Sequence, residues 1–257
     1  MIPPGDRGLT LGDGLFETVL AEAGGLVDLA AHLDRLIAGC DVLGLPPPNR
    51  GVAEAAMREA LAEASLEDVR AAVRLTLTAG SGGRGLDRPE ALAPLLVATA
   101  APAARPTTPA RLIVSSVRRN EGSPASRLKT LAYLDNVLAR REAQIAGAEE
   151  AAMLNNRGEL ACASAANLFW ISGGRLFTPH LDCGVLPGIV RARVIAAADR
   201  LGRPANAVHA GPDALAGADL IFLTNSLIGL RPALLEPGKR LIADDFFAAL
   251  TSALGAG

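Results

Sequence analysis

Cysteine is scarce in this chain of 257 residues, and neither sign of charge is in clear excess. The three cysteines, Cys40, Cys162 and Cys183, are odd in number and widely spaced, which matches neither a disulfide framework nor a zinc motif. We therefore expect reduced thiols and no metal site. The formal net charge of −2 leaves no basic surplus, so the composition gives no reason to expect a nucleic-acid partner.

Long apolar runs are missing too, although hydrophobic residues make up 50% of the chain. The uncharged stretch at residues 91–104 is too short to span a membrane and contains Pro94 and Pro102. The first residues lack the basic start and apolar core of a signal peptide. We expect a cytoplasmic location and no membrane partner.

Prolines separate two regions that both contain strand-like and helical patterns. Residues 101–109 hold three prolines, which disfavour a helix and a central strand. Patterns of both kinds on either side predict a mixed α/β (α+β) protein with a sheet and flanking helices in each domain. We predict a small N-terminal domain in residues 1–102, a linker in 103–110 and a C-terminal domain in 111–257.

Several elements have clear local signals. Gly24-Gly25 and Gly173-Gly174 predict hairpin turns, and the apolar spacing in residues 29–43 predicts a helix. Another helix is predicted to open after Gly188 and to stop at Gly202. The free N–H groups at its opening would attract an anion.

Lys129 lies in a stretch, residues 126–143, whose pattern predicts a helix that starts beside it. Thr130 is the predicted N-cap, and four apolar residues are predicted to form a buried face: Leu131, Leu134, Leu138 and Ile145. The positive end of the helix dipole and partial burial would lower the pKa of Lys129, and a neutral amine can attack a carbonyl. Taken alone, a solvated lysine at a helix start is the commoner situation.

Five regions of the chain, which together cover nearly all of it, resemble the class IV aminotransferases in the same order. They are LGDGLFET with HLDRL, GSGGRG, SRLKTLAYLDN, SAANLFW with TPHLDCGVLPGIVR, and TNSLIGLRP. This family comprises the fold-type IV pyridoxal-phosphate enzymes, among them branched-chain and D-amino-acid aminotransferases and 4-amino-4-deoxychorismate lyase. The resemblance implies a small N-terminal sheet domain, a larger barrel-like C-terminal sheet domain, the cofactor in the cleft between them, and a homodimer.

The same resemblance implies the residues that hold pyridoxal phosphate. Lys129 becomes the Schiff-base lysine and general base, and Tyr133, one helical turn later, the partner of the cofactor's phenolic oxygen. The residues implied for the phosphate are Arg35, Ile189, Val190 and Ser226. An arginine fork suits a phosphate by its chemistry, because it can give two parallel charged hydrogen bonds. The alternative for Tyr133 is a helix residue with its hydroxyl in water, and His32 is better interpreted as a packing or capping histidine.

Four residues are candidates for binding the substrate. Arg74 and Arg84 match the substrate loop of the lyase, where they would bind carboxylates of a substrate with two acids. Two solvated arginines on a surface hairpin are an equally good interpretation. Asn225 is expected either to touch the substrate or to cap its loop, and Thr18 in the first strand completes the set.

The largest departure of this sequence from the family's motifs is at Cys162. Five residues before Asn167, relatives carry a glutamate that pairs with the pyridine nitrogen of the cofactor. Glu159 does not substitute for it, because a residue three positions away on a strand faces the opposite side. A thiol keeps the ring nitrogen protonated less well, so we expect a weaker electron sink and slower turnover.

Three functions remain open at this point. The segments GSGGRG, SAANLFW and TNSLIGLRP are most similar to the lyase, which would release 4-aminobenzoate and pyruvate. A branched-chain-like amino-acid aminotransferase is the second candidate. A protein that binds pyridoxal phosphate with little catalysis is the third, because Cys162 removes the acidic partner.

Overall fold

The computed structural model describes residues 2–236 and 244–255, which form two compact units. The first unit runs to Arg105 and also contains Leu128–Tyr133, and the second contains Pro106–Arg127 and the chain from Leu134 onward. The Lys129 segment thus joins the first unit, although we predicted it within residues 111–257. The reason is backbone pairing with the first strand, described below.

The first unit is an antiparallel sheet with helices. Its strands are β1 (Gly14–Glu22), β2 (Gly25–Leu26), β3 (Ala71–Thr78) and β4 (Leu95–Pro102), in the order β2-β1-β3-β4. Its helices are α1 (Arg7–Leu11), α2 (Leu29–Leu43) and α3 (Arg50–Glu63). Alternate residues of β1 and β3, such as Val19 and Leu75, join a core with residues of α2 and α3. The other face of β1 and β3 therefore remains available for a site.

The second unit is built on an eight-stranded mixed sheet. Its strands are β5 (Ala110–Arg119), β6 (Glu150–Asn155), β7 (Leu160–Ala163), β8 (Asn167–Ser172), β9 (Arg175–Pro179), β10 (Asn206–Val208), β11 (Leu220–Asn225) and β12 (Gly229–Leu235). The order is β10-β9-β8-β11-β12-β5-β6-β7. The helices are α4 (Leu134–Ile145), α5 (Ile189–Arg200), α6 (Asp213–Ala216) and α7 (Asp245–Ala253). The fold is the predicted mixed α/β type.

The predicted start and buried face of the Lys129 helix are wrong. Residues 128–133 precede α4, so Thr130 is not its N-cap. Leu134 and Ile145 are 68% and 75% exposed, whereas Ala139 and Ala143 are buried. Small alanines allow the helix to lie close to the sheet, so its buried face is the one that lacks large apolar side chains.

Other local predictions are confirmed. The helix at residues 29–43 has the predicted bounds, and β1 turns into β2 at Gly24. Residues 173–174 form the turn between β8 and β9. Residues Asp245–Ala253 form the last helix, α7, and residues 256–257 lie outside the described part. No helix in the described ranges is long and apolar enough to cross a membrane.

Candidate active site

Lys129 is placed by an extended segment that pairs with the edge of β1. The N–H of Phe16 donates to the Lys129 carbonyl at 2.8 Å, and the N–H of Leu131 donates to Gly14 at 3.0 Å. The bridge between Leu15 and Thr130 sets Lys129 opposite Phe16. Directly opposed residues project to the same face of a sheet. Lys129 therefore lies on the face of β1 that does not join the first unit's core.

The pKa of Lys129 is lowered from 10.5 to about 8, chiefly because burial disfavours the ammonium. The Glu17 carboxylate opposes this shift, whereas the charges of Arg35 and Arg74 add to it. The sequence predicted the same direction from a helix dipole and from partial burial. Burial is the main cause in the structure, whereas α4 begins only five residues after Lys129.

Two aromatic rings surround the amine. The Lys129 Nζ lies 4.1 Å from the ring centroid of Phe16 and 5.4 Å from that of Tyr133. The two rings meet edge to face, with centroids 5.1 Å apart. Tyr133 was expected beside Lys129 because of a helical turn, yet it precedes α4. Its position beside the amine follows from the extended segment and from the Phe16 contact.

Glu17 is a buried carboxylate that sequence analysis missed. It accepts two hydrogen bonds from Arg35, at 2.8 and 2.6 Å, and lies 2.7 Å from Nδ1 of His32. Burial alone would raise the pKa of Glu17, but the bonds from Arg35 and His32 outweigh it, so its pKa is lowered. His32 has the expected packing role, and two N–H groups of Arg35 are bound to protein. The sequence signal that could have revealed this carboxylate is a glutamate at a position of β1 that faces the core.

Arg74 shares the Phe16 ring with Lys129. Its Cζ lies 3.7 Å from the ring centroid, and its Nε donates to the Thr76 hydroxyl at 3.3 Å. In the β1 and β3 register Arg74 is opposite Thr18, so both project to the Lys129 face. A guanidinium and a buried amine around one aromatic ring make this face suitable for a carboxylate.

Arg84 is set apart from this group. Its backbone pairs with Asp87 at 3.1 Å in both directions, and its side chain is exposed. Within the described residues, no hydrogen bond or ion pair involves that side chain. The loop is instead organised by buried Arg7, which donates to the carbonyls of Leu86 at 3.0 Å and Asp87 at 3.1 Å. Sequence analysis missed Arg7, since nothing local marks it as buried.

The start of α5 lies in the second unit and has the form of an anion site. Gly188 is the N-cap, and no side chain in the described part of the chain caps the helix, which leaves the N–H groups of Ile189 and Val190 available for an anion. Asn167 donates to the carbonyl of Leu186 at 2.9 Å, and a Cβ at Gly188 would overlap its side-chain oxygen. Asn167 thus holds the backbone that opens α5.

Thr224 is the second reason to place a phosphate there. It pairs with Asn167 across β11 and β8, so both side chains project to the face of the sheet on which α5 packs. Among the described residues, the buried Thr224 hydroxyl has no hydrogen-bond partner, and neither has Nε of Arg191. Buried polar atoms normally have a partner. A bound phosphate would supply one, so the residues present fit this part of the cofactor.

The remaining second-unit candidates are placed as follows. Ser226 lies in the turn between β11 and β12. Asn225 caps that turn: its oxygen accepts from Leu227 and Ile228, both at 2.9 Å, and its nitrogen donates to Ala165. The capping alternative therefore describes Asn225, while its contact with substrate remains a prediction.

Cys162 is buried on β7, opposite Met153 in β6. Burial raises the pKa of its thiol, so the group is neutral near pH 7. Glu159 offers no replacement, since its carboxylate accepts from Asn155 at 2.7 Å and from Arg157 at 2.9 Å.

Comparison with known proteins places this site in a family. The family model "Amino-transferase class IV" matches residues 14–235. The chain belongs to the class IV amino-transferase family. Its members include pyridoxal-phosphate-dependent aminotransferases and lyases, so the enzyme class and the cofactor agree with the chemistry of Lys129 and the α5 opening.

Relatives carry two different activities in their names. Aminodeoxychorismate lyase of Vibrio harveyi is 28% identical over 237 residues, covering 90% of this chain and 86% of its own. The 4-amino-4-deoxychorismate lyase structure from Pseudomonas aeruginosa has 31% identity and a TM-score of 0.86, covering 99% of this chain and 94% of its own. The branched-chain aminotransferase structure from Thermoproteus uzoniensis has 25% identity and a TM-score of 0.89, covering 99% of this chain and 90% of its own. These similarities establish the family and leave the reaction to be proposed.

Proposed function

We propose that this class IV enzyme is an aminodeoxychorismate lyase, which releases 4-aminobenzoate and pyruvate. The observation that carries the proposal is the placement of Arg74 and Lys129 on one aromatic ring. A substrate with two carboxylates needs a cationic fork beside the reacting amine, and Arg74 provides one. The lyase relatives support the same choice.

The proposal includes the following cofactor-binding roles. Nζ of Lys129 would hold the aldehyde carbon of pyridoxal phosphate, and Tyr133 its phenolic oxygen. The opening of α5, with Ile189, Val190 and the Thr224 hydroxyl, would hold the phosphate; Arg35 and Ser226 are the further predicted ligands. When bound, the cofactor supplies an electron sink for the charge left at the substrate carbon.

Lys129 is proposed to move the protons of the reaction. Its low pKa leaves a useful fraction of the amine neutral, so Nζ can accept the proton from the substrate carbon that bears the amino group. The carbon–oxygen bond to the pyruvyl group then breaks, and the ammonium at Nζ returns a proton to the leaving methylene. The products are 4-aminobenzoate and pyruvate, and no keto acid is consumed.

A branched-chain-like aminotransferase is the second candidate. It is favoured by the exposed side chain of Arg84, which makes no hydrogen bond or ion pair with the residues that the structure describes, because the predicted second carboxylate contact is then not preformed. That reaction would need a keto acid as acceptor. In either case, the homodimer expected from the resemblance remains a prediction, and light scattering on the purified protein tests it.

The decisive assay supplies aminodeoxychorismate and pyridoxal phosphate without a keto acid. We expect equal amounts of pyruvate and 4-aminobenzoate, and no product from Lys129→Ala. Arg74→Ala should lower kcat/KM by roughly 10- to 150-fold, which is the loss expected when one hydrogen bond to a charged group is removed. The control is Arg50→Ala, an exposed arginine on α3 whose loss should leave kcat/KM unchanged. Release that depends on an added keto acid would favour the aminotransferase and overturn the lyase.

A further inference from the structure

Three side chains outside the proposed active site converge in the second unit. Glu159 precedes β7, Cys183 ends the 3₁₀ turn Leu181–Cys183, and His209 follows β10. Nδ1 of His209 lies 3.3 Å from Oε1 of Glu159 and 3.5 Å from Sγ of Cys183. Sγ of Cys183 lies 3.6 Å from Oε2 of Glu159. One thiol, one imidazole and one carboxylate therefore surround a common point.

These separations are similar in length to the edges between ligands of a tetrahedral metal ion. Bonds of about 2.1 Å to nitrogen and oxygen and about 2.3 Å to sulfur give tetrahedral edges of roughly 3.4 Å for N–O and 3.6 Å for N–S and S–O. The observed edges are 3.3, 3.5 and 3.6 Å. The imidazole contacts Oε1 and the sulfur contacts Oε2, and one ligand atom from each of the three residues lies within 4.8 Å of the other two. Oε1 is the oxygen left for an ion, because Oε2 accepts hydrogen bonds from Asn155 and Arg157.

We propose that Glu159, Cys183 and His209 bind a divalent cation of the Zn²⁺ type, with a fourth position open to solvent. Thiolate and imidazole select Zn²⁺ over Mg²⁺ and Ca²⁺, which take oxygen ligands. One thiolate and one carboxylate also balance the two positive charges of the ion. From the sequence we expected no metal site, because the three cysteines are odd in number and too widely spaced for a zinc motif.

The surroundings fix the ligands and leave an entry route. Cys183 is fully buried, while the Glu159 and His209 side chains are 22% and 47% exposed, so an ion enters on the His209 side. His180 stacks on His209 with ring centroids 5.1 Å apart, which orients the imidazole. Arg157, at 2.7 Å, holds the Glu159 carboxylate in place. Such outer partners are a normal part of metal sites.

Binding of the ion must displace the thiol proton. Burial, together with the Glu159 carboxylate, raises the pKa of Cys183 to about 11, so the thiol is protonated at neutral pH without an ion. A metal ion binds the thiolate and releases that proton. The competing arrangement is a set of hydrogen bonds among the same three groups, with no affinity for metal.

Cobalt(II) is the probe that separates these two cases. The cofactor-loaded full chain, kept reduced, is titrated with Co²⁺ and monitored for tetrahedral d–d bands in the red, where pyridoxal phosphate does not absorb. Calorimetry with Zn²⁺ gives the stoichiometry and Kd. We expect one saturable site per chain and a sulfur-to-cobalt charge-transfer band.

Variants assign the ligands. Cys183→Ser should remove the charge-transfer band, and both it and His209→Ala should weaken Zn²⁺ binding by at least roughly 10- to 100-fold, the loss caused by removal of an outer partner alone. Cys40→Ser, a buried cysteine of the first unit, is the control and should bind like wild type. His209 is half exposed, so its variant remains informative if Cys183→Ser does not fold. Absence of saturable binding in wild type, or equal affinity in wild type and His209→Ala, would overturn the site.

Discussion

Lys129 is one of only two lysines in the chain; the other, Lys239, lies outside the described residues. The chemistry of this amine depends on burial. With a pKa of about 8, roughly one molecule in ten carries a neutral amine at pH 7, compared with about one in three thousand at the ordinary value of 10.5. Burial thus supplies a nucleophile that a surface lysine would not.

Capture of the cofactor should report this shift directly. When cofactor-free protein is mixed with pyridoxal phosphate, the rate of formation of the visible absorption band should rise with pH and level off above a midpoint of about 8. The sign follows because only the deprotonated amine attacks. Lys239→Arg should behave like wild type, and Lys129→Ala should form no visible band and, after reduction with borohydride, no stable covalent adduct. A midpoint near 10.5 would show that Lys129 is not buried as described.

Cys162→Glu tests the departure at the predicted pyridine-nitrogen position. A carboxylate there would keep the ring nitrogen protonated, so we expect a red-shifted cofactor band and turnover faster by about tenfold, equivalent to one pKa unit of interaction. Cys162→Ser is the matched control, because it is polar and uncharged. If the glutamate and serine variants share one spectrum and one rate, residue 162 does not act on the ring nitrogen.

At the scale of elements, the sequence predicts helices and turns well when local signals decide them. The apolar spacing of α2 agrees with its buried face, which includes Leu33, Leu36 and Cys40. Apolar spacing predicts the wrong structure for the segment around Lys129, because that segment pairs its backbone with β1 instead of forming the first helical turn. Tertiary pairing overrides a helical period whenever an unpaired strand edge needs partners.

The predicted binding of the cofactor at the opening of α5 depends on Gly188. A Cβ at Gly188 would overlap the Asn167 side-chain oxygen, so Gly188→Ala must displace Asn167 or the first turn. We expect a loss of stability of about 1–3 kcal/mol, typical of overpacking, together with weaker cofactor binding. Gly211→Ala is the control in the same unit, since nothing lies near its added Cβ. Equal Kd values for cofactor in the two variants would argue against a phosphate at the α5 opening.

At the scale of the whole molecule, the features that sequence analysis missed join distant parts of the chain. Arg7 organises a loop near residue 86, Thr224 is set beside Asn167 by strand pairing, and Cys183 meets His209. Each residue has an ordinary local context, and its role appears only when the sheet brings its partner near. The family motifs, by contrast, indicated the fold because they extend over nearly the whole chain.

Stability of the whole protein should depend on the phosphate of the cofactor. A ligand that binds only the folded state stabilises it by about 2.7 kcal/mol at one hundred times its Kd. At about 2–4 °C per kcal/mol, that predicts a rise in Tm of roughly 5–11 °C with pyridoxal phosphate. Pyridoxal at the same concentration keeps the aldehyde for Lys129 but offers no phosphate to the α5 opening or to the buried Thr224 hydroxyl. We therefore expect a clearly smaller rise, measured by differential scanning fluorimetry, and equal rises for the two compounds would mean that the phosphate is not bound by this protein.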